Sequence, residues 1–178
     1  SCAGKVVVGF LLAVYLDSRR RSQNFLLSAI YFPHLISALA IGLAFSSLLH
    51  PTKGLINTTL ALFGIDGPDW LGNTDIALFS IIFTDIWKDV GVATIIYLAG
   101  TRAIPKSYYE AAALDGCSRW GAFWHITLPL SRASINTVII LAFIGGMRTF
   151  DMVWAMTKGG PGYATDVLAS VIYKQYAG

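Results

Sequence analysis

The sequence is short of cysteine, of charge and of histidine, and each shortage excludes a class of protein. Two cysteines, Cys2 and Cys117, occur among 178 residues, which excludes a disulfide framework. Charged residues make up 13% of the chain and hydrophobic residues 55%, whereas a soluble domain has roughly 25% charged residues. The three histidines are scattered and show no metal-ligand spacing, so we expect no metal site. The composition predicts a chain that lies mostly in lipid.

Motifs for catalysis and for nucleotide binding are missing as well. There is no glycine-rich phosphate loop and no G-x-S-x-G nucleophile motif. The net charge of +3 is small and implies no nucleic-acid patch. We therefore expect neither catalytic residues nor a nucleic-acid partner.

Long apolar runs predict four membrane crossings. Three runs, at 25–49, 76–100 and 133–157, have the roughly 20 residues that a helix needs to cross a bilayer core. The run 3–16 is shorter and is interpreted as a helix whose first turns are missing. Both chain ends are interpreted as cuts, so the chain is expected to be a fragment.

Positive charges predict which side of the membrane each connection occupies. Arginines 19–21 lie between the first and second crossings, and a second basic group lies between the third and fourth. The members of that second group are Arg102, Lys106, Arg119 and Arg132. The remaining connections and ends carry single lysines, namely Lys5, Lys53, Lys158 and Lys174. Because Lys and Arg accumulate in short cytoplasmic loops, both basic loops are predicted to face the cytoplasm.

Breaker residues predict irregularities in the second crossing and in the loop after it. Pro33 lacks a backbone donor and is expected to kink the helix. The outer loop 50–75 is rich in glycine and proline, with an apolar stretch at 55–63 that predicts a short interfacial helix. Trp70 is expected to act as an aromatic anchor at the headgroup level.

The cytoplasmic loop 101–131 contains the most informative pattern, IPKSYYEAAALDGCSRWGAFWHITLP. Pro105 suits the first turn of a helix, 108–114 is helix-forming, and Gly116 suits a left-handed cap. Ser118 is expected to cap a second helix over 119–125, before Pro129 marks the next crossing.

The first of these two helices has the form of a docking element. Ala111, Ala112 and Ala113 give it a small, smooth face, and Glu110 and Asp115 place charge beside that face. A helix without bulk fits closely into a groove of another protein, while Glu110 offers a charge-assisted contact to a basic residue. The residues alone predict docking and leave the partner open. An ordinary amphipathic connector is the alternative.

This loop resembles that of the permease subunits of binding-protein-dependent ABC importers. Those proteins carry E-A-A, a glycine, nine residues and then I-x-L-P. The matching residues here are Glu110, Ala111, Ala112, Asp115, Gly116, Ile126, Leu128 and Pro129. Further segments are similar to the carbohydrate branch of the family, which includes maltose and glycerol-3-phosphate permeases. They are 54–57, Trp70-Leu71, 98–100 and 157–161 with Thr165. The departures are Cys117 in place of alanine and Ala133 in place of a second proline.

The resemblance implies an all-α, polytopic transmembrane helical bundle with the MetI-like permease core. Residues 1–178 would form one transmembrane domain, truncated at both ends and holding four of six spans. The loop would dock as a coupling helix on a dimer of ATPase subunits that binds ATP and Mg²⁺, with no cofactor in this chain itself. The resemblance also implies a second permease subunit, an extracytoplasmic solute-binding protein and a location in the bacterial inner membrane.

Charged and aromatic side chains within the crossings are candidates for a substrate pathway. A charge at a bilayer centre costs on the order of 3 kcal/mol, so it is expected to face a cavity or a partner. Aromatic faces stack on sugars and carboxylates accept hydrogen bonds from hydroxyls. The candidates are Asp85, Trp87, Lys88, Phe150, Asp151 and Trp154.

Other roles for these side chains stay open. Asp85 and Lys88 are spaced to pair on one helix face, and Arg148 and Asp151 are three residues apart. Such pairs would neutralise each other rather than contact a solute. Lys88 and Arg148 would also suit an anionic solute.

Two further functions remain open from the residues alone. A secondary transporter also has broken spans and intramembrane charge, although it needs no docking loop. A membrane-embedded enzyme would use Asp85, Asp89 and His34 as acid-base groups and requires these side chains to approach one another.

Overall fold

The computed structural model describes residues 1–18 and 23–177, and helices joined by short turns dominate this part of the chain. The predicted cytoplasmic arginines 19–21 lie outside the described residues. The longer helices are α1 (Cys2–Ser18), α3 (Ala38–Leu48), α5 (Ala77–Arg102) and α9 (Arg132–Met147). The shorter helices are α2 (Gln23–Tyr31), α4 (Leu55–Leu62), α6 (Lys106–Leu114), α7 (Arg119–Ala122), α8 (Leu128–Leu130), α10 (Phe150–Met156) and α11 (Leu168–Ala177).

Length and composition single out two pairs of helices as possible broken membrane spans. Within the described ranges, no helix taken by itself is both long and apolar enough to cross a membrane. Two pairs of helices are long and apolar enough when their residues are taken together, and each pair is bent at a short break. They are Gln23–Leu35 with Ala38–Leu48 and Arg119–Leu130 with Arg132–Met147.

The predicted crossing 25–49 is interrupted at Pro33, as the proline suggested. A one-turn 3-10 helix, Phe32–Leu35, separates α2 from α3. The interruption is therefore a break between two helices rather than a kink within one helix. Proline both removes a backbone donor and clashes with the preceding turn, which accounts for the position of the break.

The predicted crossing 133–157 is interrupted between α9 and α10. The break closely follows Gly145 and Gly146. The hydroxyl of Thr149 lies 2.9 Å from the Gly145 carbonyl oxygen and 3.0 Å from that of Gly146. The Thr149 hydroxyl thus contacts carbonyls at the end of α9, where the Arg148 amide also donates to the Gly145 carbonyl oxygen at 3.0 Å.

The helices form two compact units, which are described separately. The first unit contains His34–Lys88 and Ile144–Gly178, together with Ser1. The second contains Cys2–Pro33 and Asp89–Phe143.

In the first unit, α3 packs closely on α10. A Cβ atom built on Gly42 would lie 2.6 Å from the Ala155 Cβ atom, so only glycine allows this approach. Around this contact lies an apolar core formed by Ile41, Leu49, Ile81, Met152, Val153 and Met156. Close packing of these side chains stabilises the unit through van der Waals contacts.

The outer loop of the first unit is held by one asparagine. The Asn57 side-chain amide donates to the Pro51 carbonyl oxygen at 2.9 Å and to the Pro68 carbonyl oxygen at 3.1 Å. Its oxygen accepts a hydrogen bond of 2.7 Å from the Trp70 indole. The short helix predicted in this loop is confirmed as α4. Trp70 is half-buried against the core and tied to Asn57, and its role as a headgroup anchor stays a prediction.

In the second unit, α5 is the element on which the other helices pack. A Cβ atom on Gly91 would lie 2.5 Å from the Ile30 carbonyl oxygen of α2, and one on Gly9 would lie 2.7 Å from the Ala93 Cβ atom. Small residues at such points let helix backbones approach, which is the usual solution in membranes. The buried core here consists of Ala13, Ala93, Tyr97, Leu98 and Val138.

Candidate functional site

The helix α6 is an exposed element of the second unit. None of its residues is buried, and Glu110 is exposed to solvent. Pro105 was expected in the first turn of the helix, but it has extended backbone angles (φ −59°, ψ 137°) and serves as the N-terminal cap, so the helix begins at Lys106. Ala111 and Ala113 are exposed beside Glu110, so the smooth face predicted from the sequence is accessible.

The C-terminus of α6 is fixed by a backbone motif that depends on Gly116. This glycine has φ +75°, in the left-handed region. The Cys117 amide donates to the Ala112 carbonyl oxygen at 2.8 Å, and the Gly116 amide donates to that of Ala113 at 3.2 Å. These two bonds form a Schellman motif. The predicted cap is confirmed, and it gives α6 a sharply defined end at Asp115.

A hydrogen bond ties α6 to the chain that follows. The Tyr109 hydroxyl lies 3.0 Å from the Thr127 hydroxyl. At the start of α6, Ile104 is buried, with 8% of its surface exposed. The helix therefore combines a fixed base with a free outer surface.

The I-x-L-P part of the motif lies in an unusual helical turn. The Ser118 oxygen accepts a hydrogen bond of 3.1 Å from the Gly121 amide, so the predicted N-cap is confirmed. The predicted end of the second helix at His125 is wrong, because a π-helical turn (Phe123–Thr127) follows α7 and leads into α8. Pro129 lies within α8, where a proline is tolerated because the first turn needs no donor from it. Ile126 and Leu128 are half-buried.

An open groove runs beside α6. Its volume is about 790 Å³, and its lining includes Asp17, Gln23, Arg102, Lys106 and Glu110. Arg102 Nε donates to Asp17 Oδ1 at 3.4 Å, and the same guanidinium group donates to Gln23 Oε1. The lining of the groove combines apolar surface with side chains of both charge signs.

The six candidates for the substrate pathway all fall in the first unit, and the structure brings two of them together. The Phe150 and Trp154 rings stack with centroids 5.6 Å apart and planes 22° apart. Tyr173 joins them, with its ring centroid 4.7 Å from that of Trp154. Asp151 is exposed on the same helix. The result is an aromatic cluster with a carboxylate on the same short helix, a combination that suits a sugar.

The other three candidates lie on α5 and have different surroundings. The Trp87 ring is 41% exposed and lies 5.3 Å from the Phe45 ring. Asp85 is buried, with 5% exposed, and Lys88 is half-buried. The pairing of Asp85 with Lys88 and that of Arg148 with Asp151 stay predictions.

Sequence reasoning missed an ion pair in the second unit. Lys5 Nζ lies 2.8 Å from Asp89 Oδ2, and the Lys5 side chain is only 3% exposed. Lys5 had been counted with the charges at the outer chain end, whereas the structure buries it against α5. The signal in the sequence was a single lysine inside the apolar run 3–16. Tyr173 was also missed, since nothing near it in the sequence marks it.

The outer segment after α10 is fixed by hydroxyl and carboxylate contacts. The Thr165 hydroxyl donates to the Gly160 carbonyl oxygen at 2.6 Å and lies 2.7 Å from the Thr157 hydroxyl. Asp166 accepts hydrogen bonds from Lys174 and Ser170, and these bonds hold the pKa of the Asp166 carboxyl below its ordinary value. This segment carried part of the resemblance to sugar permeases, and its side chains maintain the loop conformation.

Histidine, cysteine and acidic side chains form no cluster of three or more that could hold a metal ion in the described ranges. The geometry instead presents an exposed, capped helix on one unit and an aromatic cluster on the other.

Comparisons with known proteins show which family this chain is related to. Residues 5–178 match the family model described as "Binding-protein-dependent transport system inner membrane component". The chain is 31% identical to the trehalose/maltose transport system permease protein MalF of Thermococcus litoralis, over 97% of this chain and 58% of the relative. It is 33% identical to the probable ABC transporter permease protein YurN of Bacillus subtilis, over 96% of this chain and 60% of the relative.

A solved structure agrees with these relatives. The chain superposes with a TM-score of 0.81 and 27% identity on a bacterial ABC transporter involved in the import of the acidic polysaccharide alginate, over 96% of this chain and 60% of that one. The chain thus spans about three fifths of the length of the proteins that it matches. With a family match that extends from residue 5 to residue 178, the chain belongs to the binding-protein-dependent transport system inner membrane components.

Proposed function

We propose that this chain is the core of a permease subunit of an ATP-driven importer, which moves a sugar or sugar-like solute delivered by an extracytoplasmic binding protein. The observation that carries the proposal is α6: an exposed helix, anchored at its base and ended by a Schellman motif. A helix built this way transmits a push from a docked partner without bending. We infer that the partner is an ATPase subunit and that α6 lies on the cytoplasmic side.

Glu110 and the alanines beside it support a docking role for α6 rather than the role of a free surface loop. A bulky side chain at Ala111 or Ala113 would separate α6 from a groove, and a carboxylate at Glu110 offers one charge-assisted contact to it. The ATP chemistry would reside in the partner chains, with Mg²⁺ bound there. A second permease subunit would complete the translocation pathway.

A sugar-like solute is supported by the relatives and by the aromatic cluster. Named relatives include a permease of a multiple sugar-binding transport system and one for arabinooligosaccharides. The stacked Phe150 and Trp154 rings present aromatic faces of the kind that bind sugars. Lys88 and Arg148 on neighbouring segments would favour a solute that carries negative charge. The alginate importer found among the solved structures takes such a solute.

The test is transport by the full importer in proteoliposomes, with matched variants of α6. Gly116→Leu forces a side chain into the left-handed region, at a cost of about 1–2 kcal/mol, and should separate ATP hydrolysis from solute uptake. The matched control is Gly64→Leu, because Gly64 has nearly the same φ of +74° and also has no atom within 4 Å of a built Cβ. That variant lies in the outer loop and should keep coupling.

A charge reversal tests the contact itself. Glu110→Lys should abolish coupling while the binding of solute to the outer binding protein stays unchanged. Asp66→Lys, on an exposed outer loop residue, is the matched control. Normal coupling in both α6 variants would refute the docking role. Uptake that continues without ATP or without the binding protein would favour a secondary transporter instead.

A further inference from the structure

A pair of exposed tryptophans follows α6 and is not explained by docking to an ATPase. Trp120 is 73% exposed and Trp124 is 56% exposed, although both are large apolar side chains. They lie four residues apart, on α7 and on the π-helical turn. We refer to Trp120 and Trp124 together as the tryptophan face. Such exposure in a membrane protein marks a surface that contacts another medium or molecule.

Phe123 accounts for the outward direction of the two tryptophans. Its ring lies 5.8 Å from the Phe10 ring of α1, so Phe123 packs inward. The Trp120 and Trp124 rings meet the same Phe123 ring edge-on, at 5.9 and 5.5 Å between centroids. The inward phenylalanine therefore fixes the two indoles from behind and leaves their outer faces open.

Among its charged side chains, the segment that holds the tryptophan face has only basic ones, and Asp17 of α1 lines the same cavity as Arg119. Residues 117–132 contain Arg119, His125 and Arg132 and no aspartate or glutamate. His125 and Arg132 are exposed. The preceding helix α6 differs, because it carries the exposed carboxylate of Glu110 and is followed by that of Asp115, and these suit a basic protein partner. A basic surface with exposed tryptophan is complementary to the anionic headgroup layer of a bilayer.

The tryptophan face is also continuous with a membrane-spanning segment. Arg119–Leu130 and Arg132–Met147 form one of the two helix pairs that are apolar enough to cross a membrane, with a bend of 63° between them. In an inner membrane protein, α9 lies in lipid. A strong bend at Ser131 then turns Arg119–Leu130 away from the direction of α9, and the first residues outside the hydrocarbon lie at headgroup level.

We propose that the tryptophan face, with Arg132 and His125, lies in the cytoplasmic headgroup layer and binds the phosphates of anionic phospholipids. The assignment to the cytoplasmic leaflet rests on the function proposed above. The indoles sit at the depth where aromatic rings are favoured, and the basic side chains reach the lipid phosphates.

This surface has a consequence for α6. The Thr127 hydroxyl, in the same π-helical turn as Trp124, bonds the Tyr109 hydroxyl of α6. A lipid-bound turn would therefore hold the base of α6 at a constant height above the bilayer. The coupling helix would be positioned by lipid on one side and pushed by its partner on the other.

Fluorescence quenching in lipid nanodiscs tests the proposal with the assembled importer. Phospholipids brominated near the headgroup should quench the wild-type protein more than Trp120→Phe, Trp124→Phe or the double variant, and phospholipids brominated at the chain ends should show little difference. Trp154→Phe is the matched control, because it removes a half-buried indole that stacks on Phe150. The Trp154→Phe variant should be quenched by the headgroup-brominated phospholipids as strongly as the wild type.

The basic part of the surface is tested by lipid retention. Arg132→Gln should lower the retention of phosphatidylglycerol about fivefold relative to phosphatidylcholine, the effect of one basic residue at an anionic surface. Equal shallow quenching in the wild type and the double tryptophan variant would overturn the proposal, and cross-linking of position 120 to an ATPase or second permease would identify a protein occupant instead. Neither measurement depends on transport. Normal coupling in the α6 variants, or uptake that continues without ATP, would thus refute the proposed function while leaving the lipid contact in place.

Discussion

Replacing Asp89 should destabilise the protein more than replacing Lys5, although the two side chains form one ion pair. Lys5 Nζ and Asp89 Oδ2 are 2.8 Å apart, but the side chains are exposed to different extents, 3% for Lys5 and 26% for Asp89. Asp89→Asn removes the carboxylate contact at 2.8 Å from an ammonium group in a nearly closed site. Lys5→Met leaves a carboxylate that is partly open to its surroundings. The cost of a charge that has lost its partner rises with its burial.

The magnitudes follow from that difference in burial. Removal of one partner of a buried ion pair costs about 3–5 kcal/mol, and we expect Asp89→Asn to fall in this range. A partly exposed group that loses its partner costs less, about 1–3 kcal/mol, and we expect Lys5→Met to fall there. The double variant Lys5→Met/Asp89→Leu replaces both charges by apolar groups of similar size. Such replacements are often neutral, so its stability should approach that of the wild type.

The assay is denaturant unfolding of the purified protein in detergent, followed by circular dichroism and evaluated as a double-mutant cycle. Lys53→Met, at an exposed lysine of the outer loop, is the control for the loss of a lysine as such. Equal losses for the two single variants would contradict the argument from burial. Losses that simply add in the double variant would show that Lys5 and Asp89 are not energetically coupled.

Two further outcomes test the packing of the helices and the outer segment. Gly91→Ala should lower the free energy of unfolding by more than about 1 kcal/mol, which is the cost of overpacking. The reason is that the alanine Cβ would lie 2.5 Å from the Ile30 carbonyl oxygen. Gly145→Ala, where no atom lies within 4 Å, should be neutral or stabilising in the same melting experiment. Because Lys174 and Ser170 lower the pKa of Asp166, the ionised Asp166 should stabilise the fold above the unfolded-state value of about 3.9. That contribution should disappear as pH falls through the lower folded-state pKa, and melts of Asp166→Asn should lack this pH dependence.

Several features of the site could be predicted from the sequence because they depend on neighbouring residues. The cap at Gly116 needs one residue with a positive φ directly after a helix-forming stretch, and the cap at Ser118 needs a hydroxyl three residues before its donor. The short helix α4 follows in the same way from an apolar stretch between breakers. Each of these is decided within one or two helical turns, so the local sequence contains the required information.

Other features were wrong or absent at the level of sequence, since they join residues far apart in the chain. The π-helical turn at Phe123–Thr127 replaced a simple helix end, and its Thr127 hydroxyl is held by Tyr109 from another helix. The Trp70 indole donates to Asn57, which lies 13 residues earlier in the chain. Hydropathy and residue spacing show how apolar a segment is. They do not show which distant side chain packs against that segment.

The sequence by itself determined that this chain is helical and apolar, and it located an exposed helix with Glu110, a small-residue face and a glycine cap. Only the tertiary structure decided that Lys5 pairs with Asp89 and that Tyr173 completes the aromatic cluster of Phe150 and Trp154. The physical reason is that capping and helix formation depend on bonds between residues within about five positions. Ion pairs and ring contacts between helices depend on how the backbones approach one another, which the small residues Gly9, Gly42 and Gly91 permit but do not specify.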